Sequence, residues 1–310
     1  MDLRQAREVA RCASGRVRLA VVQQAEDHVV FDAGQLIVKC GTRDDFGVEA
    51  SACERARSLG VPAPEVVSIS MAAPIPHLAL RKVPGVPLTD HDLSADAATR
   101  AARQAGAMLR QLHDTVMPGF GWIDHDHFRV AGEIRGKSAS WVEEIGAELE
   151  PALDELVDVG AITDAHATAL RDEMAAQRPV IETVTQGRFL HGDLGRMHIM
   201  VDPADGQLTG LIDWGDVQVG DPAWDLAITA CHFASPAEGL LRVHHARRRD
   251  LFPHFLEGYE PAAETAERLD ALGAFYLAYR QAWVARLGTG TDGTPNPSLA
   301  MLRDRLSRTP

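Results

Sequence analysis

Asp193, His198 and Asp213 stand at the ends of short apolar runs, and their side chains suit the transfer of a phosphoryl group. His191-Gly-Asp193 follows Phe189-Leu190, and Gly192 allows a sharp turn that presents Asp193 outward from a strand end. His198 comes five residues later, ahead of the apolar run Ile199-Met200-Val201. Asp202-Pro-Ala-Asp-Gly206 reads as a hairpin turn, and the returning strand, Leu208 to Ile212, delivers Asp213. A hairpin of this kind is expected to gather Asp193, His198 and Asp213 at one end of a small sheet. Phosphoryl transfer needs a group that orients the attacking hydroxyl and a Mg²⁺ ion that neutralises charge on the nucleotide phosphates. One carboxylate at the rim, and a second beside a metal-competent imidazole, match those two needs. Either aspartate alone would read as a turn or cap residue; the combination with His191 and Gly192 points to a catalytic loop.

The elements that must position this cluster fall into two groups. Strands are expected over Arg16 to Gln24, Val29 to Phe31, Leu36 to Cys40, Val66 to Ser70 and His77 to Val83, with a helix from Phe46 to Leu59 that Gly60 and Pro62 stop. Pro84-Gly-Val-Pro87 marks a lobe boundary. Beyond it helices dominate: Ser94 caps one that runs to His113, Ser140-Trp-Val-Glu143 fits a capping box, and Ala161 to Gln177 and Leu269 to Arg286 are helical. The β-prone insert Arg188–Leu190, Ile199–Asp202 and Thr209–Ile212 carries the polar cluster, and the tail from Gly288 to Pro297 reads as an irregular loop. The fold class is therefore α+β, with residues 1–84 a strand-rich lobe and 85–310 a mostly helical one.

Composition narrows the partners. A net charge of −13 argues against nucleic acid, whose phosphates attract basic faces. It suits a cationic small molecule, or serves solubility alone. No run of about 18 apolar residues free of charge occurs, so no membrane span is expected. Residues 1–21 lack the apolar core of an export signal, and Cys12, Cys40, Cys53 and Cys231 form no C-x-x-C pair; both fit a cytoplasmic protein with reduced thiols.

The string H-G-D-L-x-x-x-H-I-M-V followed by L-I-D-W-G-D-x-x-x-G-D-P-x-x-D-L-A, from Phe189 to Ala227, resembles the signature of the aminoglycoside phosphotransferase family. The resemblance implies a protein-kinase-like two-lobed fold and ATP-dependent phosphorylation of a hydroxyl on an antibiotic or small metabolite. It implies Asp193 as catalytic base, Asp213 as the main Mg²⁺ ligand, and His198, where the family usually has Asn, as the second metal contact or a hydrogen-bonding loop residue. Gly220-Asp221-Pro222 and Asp225 would be structural. Leu36-Ile-Val-Lys39 resembles the strand whose lysine meets the nucleotide phosphates, with Glu49 as its partner and Glu54 as competitor. The main chain of Lys82 and Val83 would hold adenine. The nucleotide-covering loop, Gln24 to Asp32, has no glycine, and GTP stands as the alternative to ATP.

A cationic antibiotic is the expected acceptor, with Asp216, Glu257 and Glu260 as candidate acidic contacts. A macrolide, suggested by His198, or a metabolite such as choline, a sugar or homoserine, is the alternative, and a catalytically silent nucleotide-binding regulator lies outside the class. Other features have plainer readings: Asp124-His-Asp-His127 as a solvated turn, His244 to Arg249 as a charged helix face, Tyr276, Tyr279 and Trp283 as core, and Phe120-Gly-Trp122 as a packed loop.

Overall fold

The computed structural model describes residues 2–24, 28–41, 46–73, 75–89, 93–234, 250–286 and 297–308. The run His244 to Arg249 and the tail from 288 to 296 lie outside them.

The chain opens with a helix that the sequence reading lacked, α1 (Leu3–Ser14). Asp2 caps it, accepting the Arg4 N–H at 2.9 Å, and Gly15 closes it in a left-handed conformation. Then come β1 (Ala20–Gln24), β2 (His28–Asp32), β3 (Leu36–Gly41), α2 (Phe46–Ser58), β4 (Val66–Ser70) and β5 (His77–Arg81), the strands forming an antiparallel sheet in the order β1-β2-β3-β5-β4. Strand alternation sends Val38 and Cys40 to one face, into a core with Ala6 and Ala10 of α1. Lys39 therefore faces the other way, on the side of its pairing partner Leu78, whose core is shared with α2.

The Pro/Gly segment after β5 contributes β6 (Val86–Pro87). There follow α3 (Ala95–His113), β7 (Val116–Met117), β8 (Phe120–Ile123), α4 (His125–Ala131), β9 (Gly136–Ser138), α5 (Trp141–Asp158) and α6 (Asp164–Ile181). Ser94 caps α3 by accepting the Ala97 N–H at 3.1 Å, and its Ala97, Ala101, Ala105 and Leu112 face is buried. The chain continues through β10 (Gly187–Leu190), β11 (Ile199–Val201), β12 (Leu208–Leu211), β13 (Gln218–Gly220), α7 (Pro222–Ala234), α8 (Phe252–Tyr259), α9 (Ala263–Ala285) and α10 (Pro297–Arg308). Helix α9 packs against α5, α6, α7 and α10, and α8 lies against α3.

Several expectations change. The β-prone insert is split between two sheets: β10 pairs with β7 and β13, while β11 pairs with β12 and β6. The pairing partners of β10 lie far off in sequence, where local pattern does not reach. Phe120-Gly-Trp122 is a strand rather than a loop. Asp124 is a helix cap rather than a turn residue, accepting the His127 N–H at 2.9 Å and an Arg135 guanidinium at 2.6 Å. Helix α6 starts at Asp164, behind the Thr163 cap, and runs past Gln177. Tyr276 and Tyr279 are core, but Trp283 is only half-buried: its ring lies tilted against Trp122 at 5.2 Å and it donates to Glu148 at 3.0 Å. All four cysteines are free, and burial pushes the Cys40 thiol up to about 12.

Candidate active site

The turn between β10 and β11 carries Asp193. Gly192 sits at φ +83, and a Cβ there would collide with the Asp216 carbonyl oxygen, so the turn requires glycine. The turn is held from below by Asp225, fully buried on the first turns of α7, which accepts the backbone N–H groups of His191 and Gly192 at 2.7 and 2.8 Å. Its third donor is His113 Nε2 at 3.1 Å, and His113 Nδ1 then accepts the Tyr259 hydroxyl at 2.8 Å. A buried carboxylate needs such a set of donors to offset its desolvation. Asp221 is equally enclosed, taking Arg268 Nε at 3.1 Å and the Tyr276 hydroxyl at 2.9 Å. Both aspartates thus hold elements together, as the resemblance implies.

Asp213 ends the β11–β12 hairpin in a left-handed conformation, φ 66, rare outside glycine. Lys39 Nζ lies 2.9 Å from its Oδ1 and 2.6 Å from Glu49 Oε1, joining β3, α2 and the hairpin at one point. Glu49, buried on the inner face of α2, is the partner of Lys39; Glu54 is exposed. Burial alone would lower the Lys39 ammonium, but the two carboxylates raise it far above its ordinary value. The Lys39 charge holds Asp213 well below the usual carboxylate range, although that side chain is 46% exposed and water screens part of the attraction.

His198 lies between the two aspartates. Its Nδ1 donates to the Asp193 carbonyl at 2.7 Å, which leaves the lone pair of a neutral ring on Nε2, 3.6 Å from Asp213 Oδ2. A lone pair facing a carboxylate is repulsive unless a cation or proton lies between them. Asp213 and His198 are thus a two-donor set that fits Mg²⁺, an ion that keeps water and phosphate oxygens as its other ligands. No group of three or more His, Cys, Asp or Glu side chains able to hold a metal occurs among the described residues.

Around Asp193 the structure adds two residues that the sequence reading missed, Arg280 of α9 and His232 of α7, at 3.0 and 3.3 Å from Oδ1. Burial by itself would raise the Asp193 carboxyl; the His232 hydrogen bond and the Arg280 charge lead the contacts that outweigh it and hold the group well below its ordinary value. Spacing carried a signal for both. Arg280 is one turn from buried Tyr276, and His232 is two turns from buried Asp225, so each charged or polar side chain sits on an inward face and needs a partner there.

Asp216 joins the cluster, 3.5 Å from Arg280 Nη2. Glu257 and Glu260 do not. Glu257 is tied to Arg103 at 2.6 Å and to His254 at 3.2 Å, and the Glu260 carbonyl accepts Arg110 at 2.6 Å; both flank Tyr259, which backs His113 and Asp225 from behind the loop. Helix α8, which ends between them, docks on α3. At the end of β5 the Lys82 N–H donates to the Gln35 carbonyl at 3.0 Å and Lys82 Nζ reaches Asp32 at 2.6 Å. Of the main-chain groups expected to hold adenine, the Lys82 amide is already occupied, leaving the Lys82 carbonyl and the Val83 N–H.

A lysine–glutamate pair bridging sheet and helix, an aspartate on a glycine turn and a second aspartate at a hairpin end define a phosphotransferase with the protein-kinase-like fold. The profile of the phosphotransferase enzyme family matches residues 29–272, and the chain belongs to that family. Solved structures of similar fold include aminoglycoside phosphotransferase APH(4)-Ia in complex with ADP and hygromycin B (17% identity, TM-score 0.68, covering 98% of this chain and 97% of that one). Aminoglycoside phosphotransferase APH(3'')-Id from Streptomyces rimosus (22%, 0.60, 91% and 99%) and a candidate fructosamine-3-kinase from Thermobifida fusca (18%, 0.66, 97% and 98%) are also similar. Among curated proteins, viomycin phosphotransferase of Streptomyces vinaceus is 28% identical over 167 residues, 53% of this chain and 53% of that protein, so the match spans about half of each. No described helix is long and apolar enough to cross a membrane.

Proposed function

We propose that this protein uses ATP to phosphorylate a hydroxyl of a cationic antibiotic, an aminoglycoside or a basic peptide, and so inactivates it. The observation that carries the reading is the meeting of Lys39, Asp213, His198 and Asp193 at one place, with Arg280 and His232 both on Asp193 Oδ1. Asp193 would orient the acceptor hydroxyl and receive its proton. Lys39, held by Glu49, would bind the nucleotide phosphates, and the Lys82 carbonyl and Val83 N–H would meet the base, at a hinge near Pro84 between a nucleotide lobe and an acceptor lobe. Asp213 and His198 would hold Mg²⁺, which when bound neutralises charge on the phosphates. The acidic balance and Asp216 support a cationic acceptor. The similarity to viomycin phosphotransferase and to the aminoglycoside kinases agrees with it. A nucleotide substrate and the free cysteines suit a cytoplasmic setting.

A metabolite kinase is the second reading. Arg280, a cation beside Asp193, favours an acceptor with some anionic or neutral character, and the candidate fructosamine-3-kinase shares the fold. A coupled ADP-release screen over aminoglycosides, viomycin-type peptides, macrolides, choline, sugars and homoserine, with ATP and with GTP, separates the readings. Product mass must show an added phosphate. Turnover confined to the metabolites, or none with any antibiotic, would refute the antibiotic assignment.

A further inference from the structure

The Asp193 carboxylate is held on one side only. Arg280 Nη2 and His232 Nε2 both address Oδ1, at 3.0 and 3.3 Å. Among the described residues Oδ2 has only a long approach from His198 Nδ1, at 3.9 Å, and that nitrogen already donates to the Asp193 carbonyl. An ionised carboxylate accepts and does not donate, so His232 Nε2 carries the hydrogen in this contact. Arg280 is itself fixed: its side chain is 13% exposed, its Nη2 also reaches Asp216 Oδ2, and its guanidinium lies over the Trp283 ring at 5.2 Å. The two residues come from α9 and α7, which pack on each other, so the hold on Asp193 is made by the helical scaffold and not by the loop that carries it.

We infer that Arg280 and His232 are positioning residues that hold Asp193 by Oδ1 and so reserve Oδ2 as the atom that receives the acceptor hydroxyl. The inference rests on the reading of Asp193 as the base. A carboxylate free to turn offers either oxygen in many directions, and the orientation would have to be found again in each turnover. Two donors on one oxygen remove that freedom before the acceptor arrives. They also draw electron density from the carboxylate, which makes it a weaker proton acceptor but not a weaker orienting group. In phosphoryl transfer through a loose transition state, that exchange is favourable, since alignment matters more than early proton removal. The acceptor oxygen forms its bond to the γ-phosphorus, the bond to the bridging oxygen breaks with its electron pair leaving on ADP, and the hydroxyl proton passes to Oδ2.

The test compares R280A, R280K, H232A and H232Q with the wild-type enzyme for the acceptor found by screening, and for ATP hydrolysis with water as acceptor. A wild-type enzyme that hydrolyses ATP but modifies no antibiotic would fail the functional assignment and leave this comparison intact. R280A is expected to lose roughly 10- to 100-fold in kcat with nucleotide KM nearly unchanged. Millimolar guanidinium should restore part of the loss, and R280K little of it, because one ammonium cannot reproduce the planar fork. H232Q, whose amide can still donate to Oδ1, should exceed H232A. An unchanged kcat, or a loss confined to acceptor KM, would overturn the inference, the latter by making Arg280 an acceptor contact. A crystal structure of R280A tests the geometry without turnover. The Asp193 carboxylate is expected to turn or to occupy two orientations; a carboxylate in its original orientation would equally overturn the inference.

Discussion

Asp225 accepts the backbone N–H of His191 at 2.7 Å from thirty-four residues further along the chain, and with its other oxygen it accepts that of Gly192 at 2.8 Å. The shape of the turn that carries Asp193 therefore depends on a side chain that is fully buried. In D225N one of the two oxygens becomes an NH₂ donor that faces another donor, in a site with no exposure. The expected cost is about 2–4 kcal/mol, the range for leaving buried charged hydrogen bonds unmade. Urea denaturation should show it as a lower midpoint with an unchanged slope. kcat should fall as well, because Asp193 is aimed by this turn. An unchanged midpoint would mean that the turn keeps its shape by other means.

Gly192→Ala probes the same turn from the backbone. At φ +83 an alanine is strained, and its methyl group would press on the Asp216 carbonyl. Shifting either strand of the contact moves Asp193 or Asp216. The expected result is a loss of kcat of about 100-fold or more, with nucleotide KM nearly unchanged because Lys39 and Glu49 lie on other elements. A parallel loss in nucleotide affinity would show that the turn also shapes the phosphate site.

Much of this site was legible because its parts are local. The run from His191 to Asp213 contains its own turn glycine and hairpin signal, and the Ser94 and Ser140 caps sit where helix starts require them. Lys39 and Glu49 lie on a strand and a helix adjacent in sequence, and the family resemblance pairs them. Arg280 and His232 were not legible as partners of Asp193. Each lies on a helix whose inward face is set by tertiary packing, and 87 residues separate Arg280 from the carboxylate it holds. The pairing of β10 with β13 escaped for the same reason, as did the ties of Glu257 to Arg103 and His254, because the docking of α8 on α3 leaves no local trace.

Lys39→Met removes the cation shared by Glu49 and Asp213. Glu49 then loses its 2.6 Å ion pair in a buried place, and the expected loss of stability is about 3 kcal/mol, together with a large rise in nucleotide KM. The pH dependence has a definite sign. Asp213 is lowered in the folded protein, so its share is present above about pH 4, the ordinary carboxylate value, and is lost as pH falls through the lower folded value. Lys39 is raised, so its share is present below about pH 10.5 and is lost only at more alkaline pH. The stability gap between wild type and K39M should be flat from about pH 5 to 9 and should narrow below about pH 4. Denaturation at a series of pH values checks this, and a gap that opened in acid would reverse the assigned direction.

His198→Asn tests the metal reading against the simpler one, a histidine that only hydrogen-bonds within its loop. In the structure Nδ1 is committed to the Asp193 carbonyl, and Nε2 presents a lone pair toward Asp213 across 3.6 Å. If a divalent ion bridges that gap, the imidazole should make the site tolerant of the more nitrogen-friendly Mn²⁺ and Co²⁺, while the asparagine oxygen should favour Mg²⁺. H198N is therefore expected to keep activity, to lower the Mg²⁺ concentration needed for half-maximal rate, and to reduce the ratio of the Mn²⁺ rate to the Mg²⁺ rate. Metal titrations at fixed nucleotide concentration measure both quantities. H198A, which supplies neither donor, should need more of either ion. If the Mn²⁺ to Mg²⁺ ratio is the same in wild type, H198N and H198A, His198 does not touch the ion, and its place between the aspartates serves only to tie the Asp193 backbone to the hairpin.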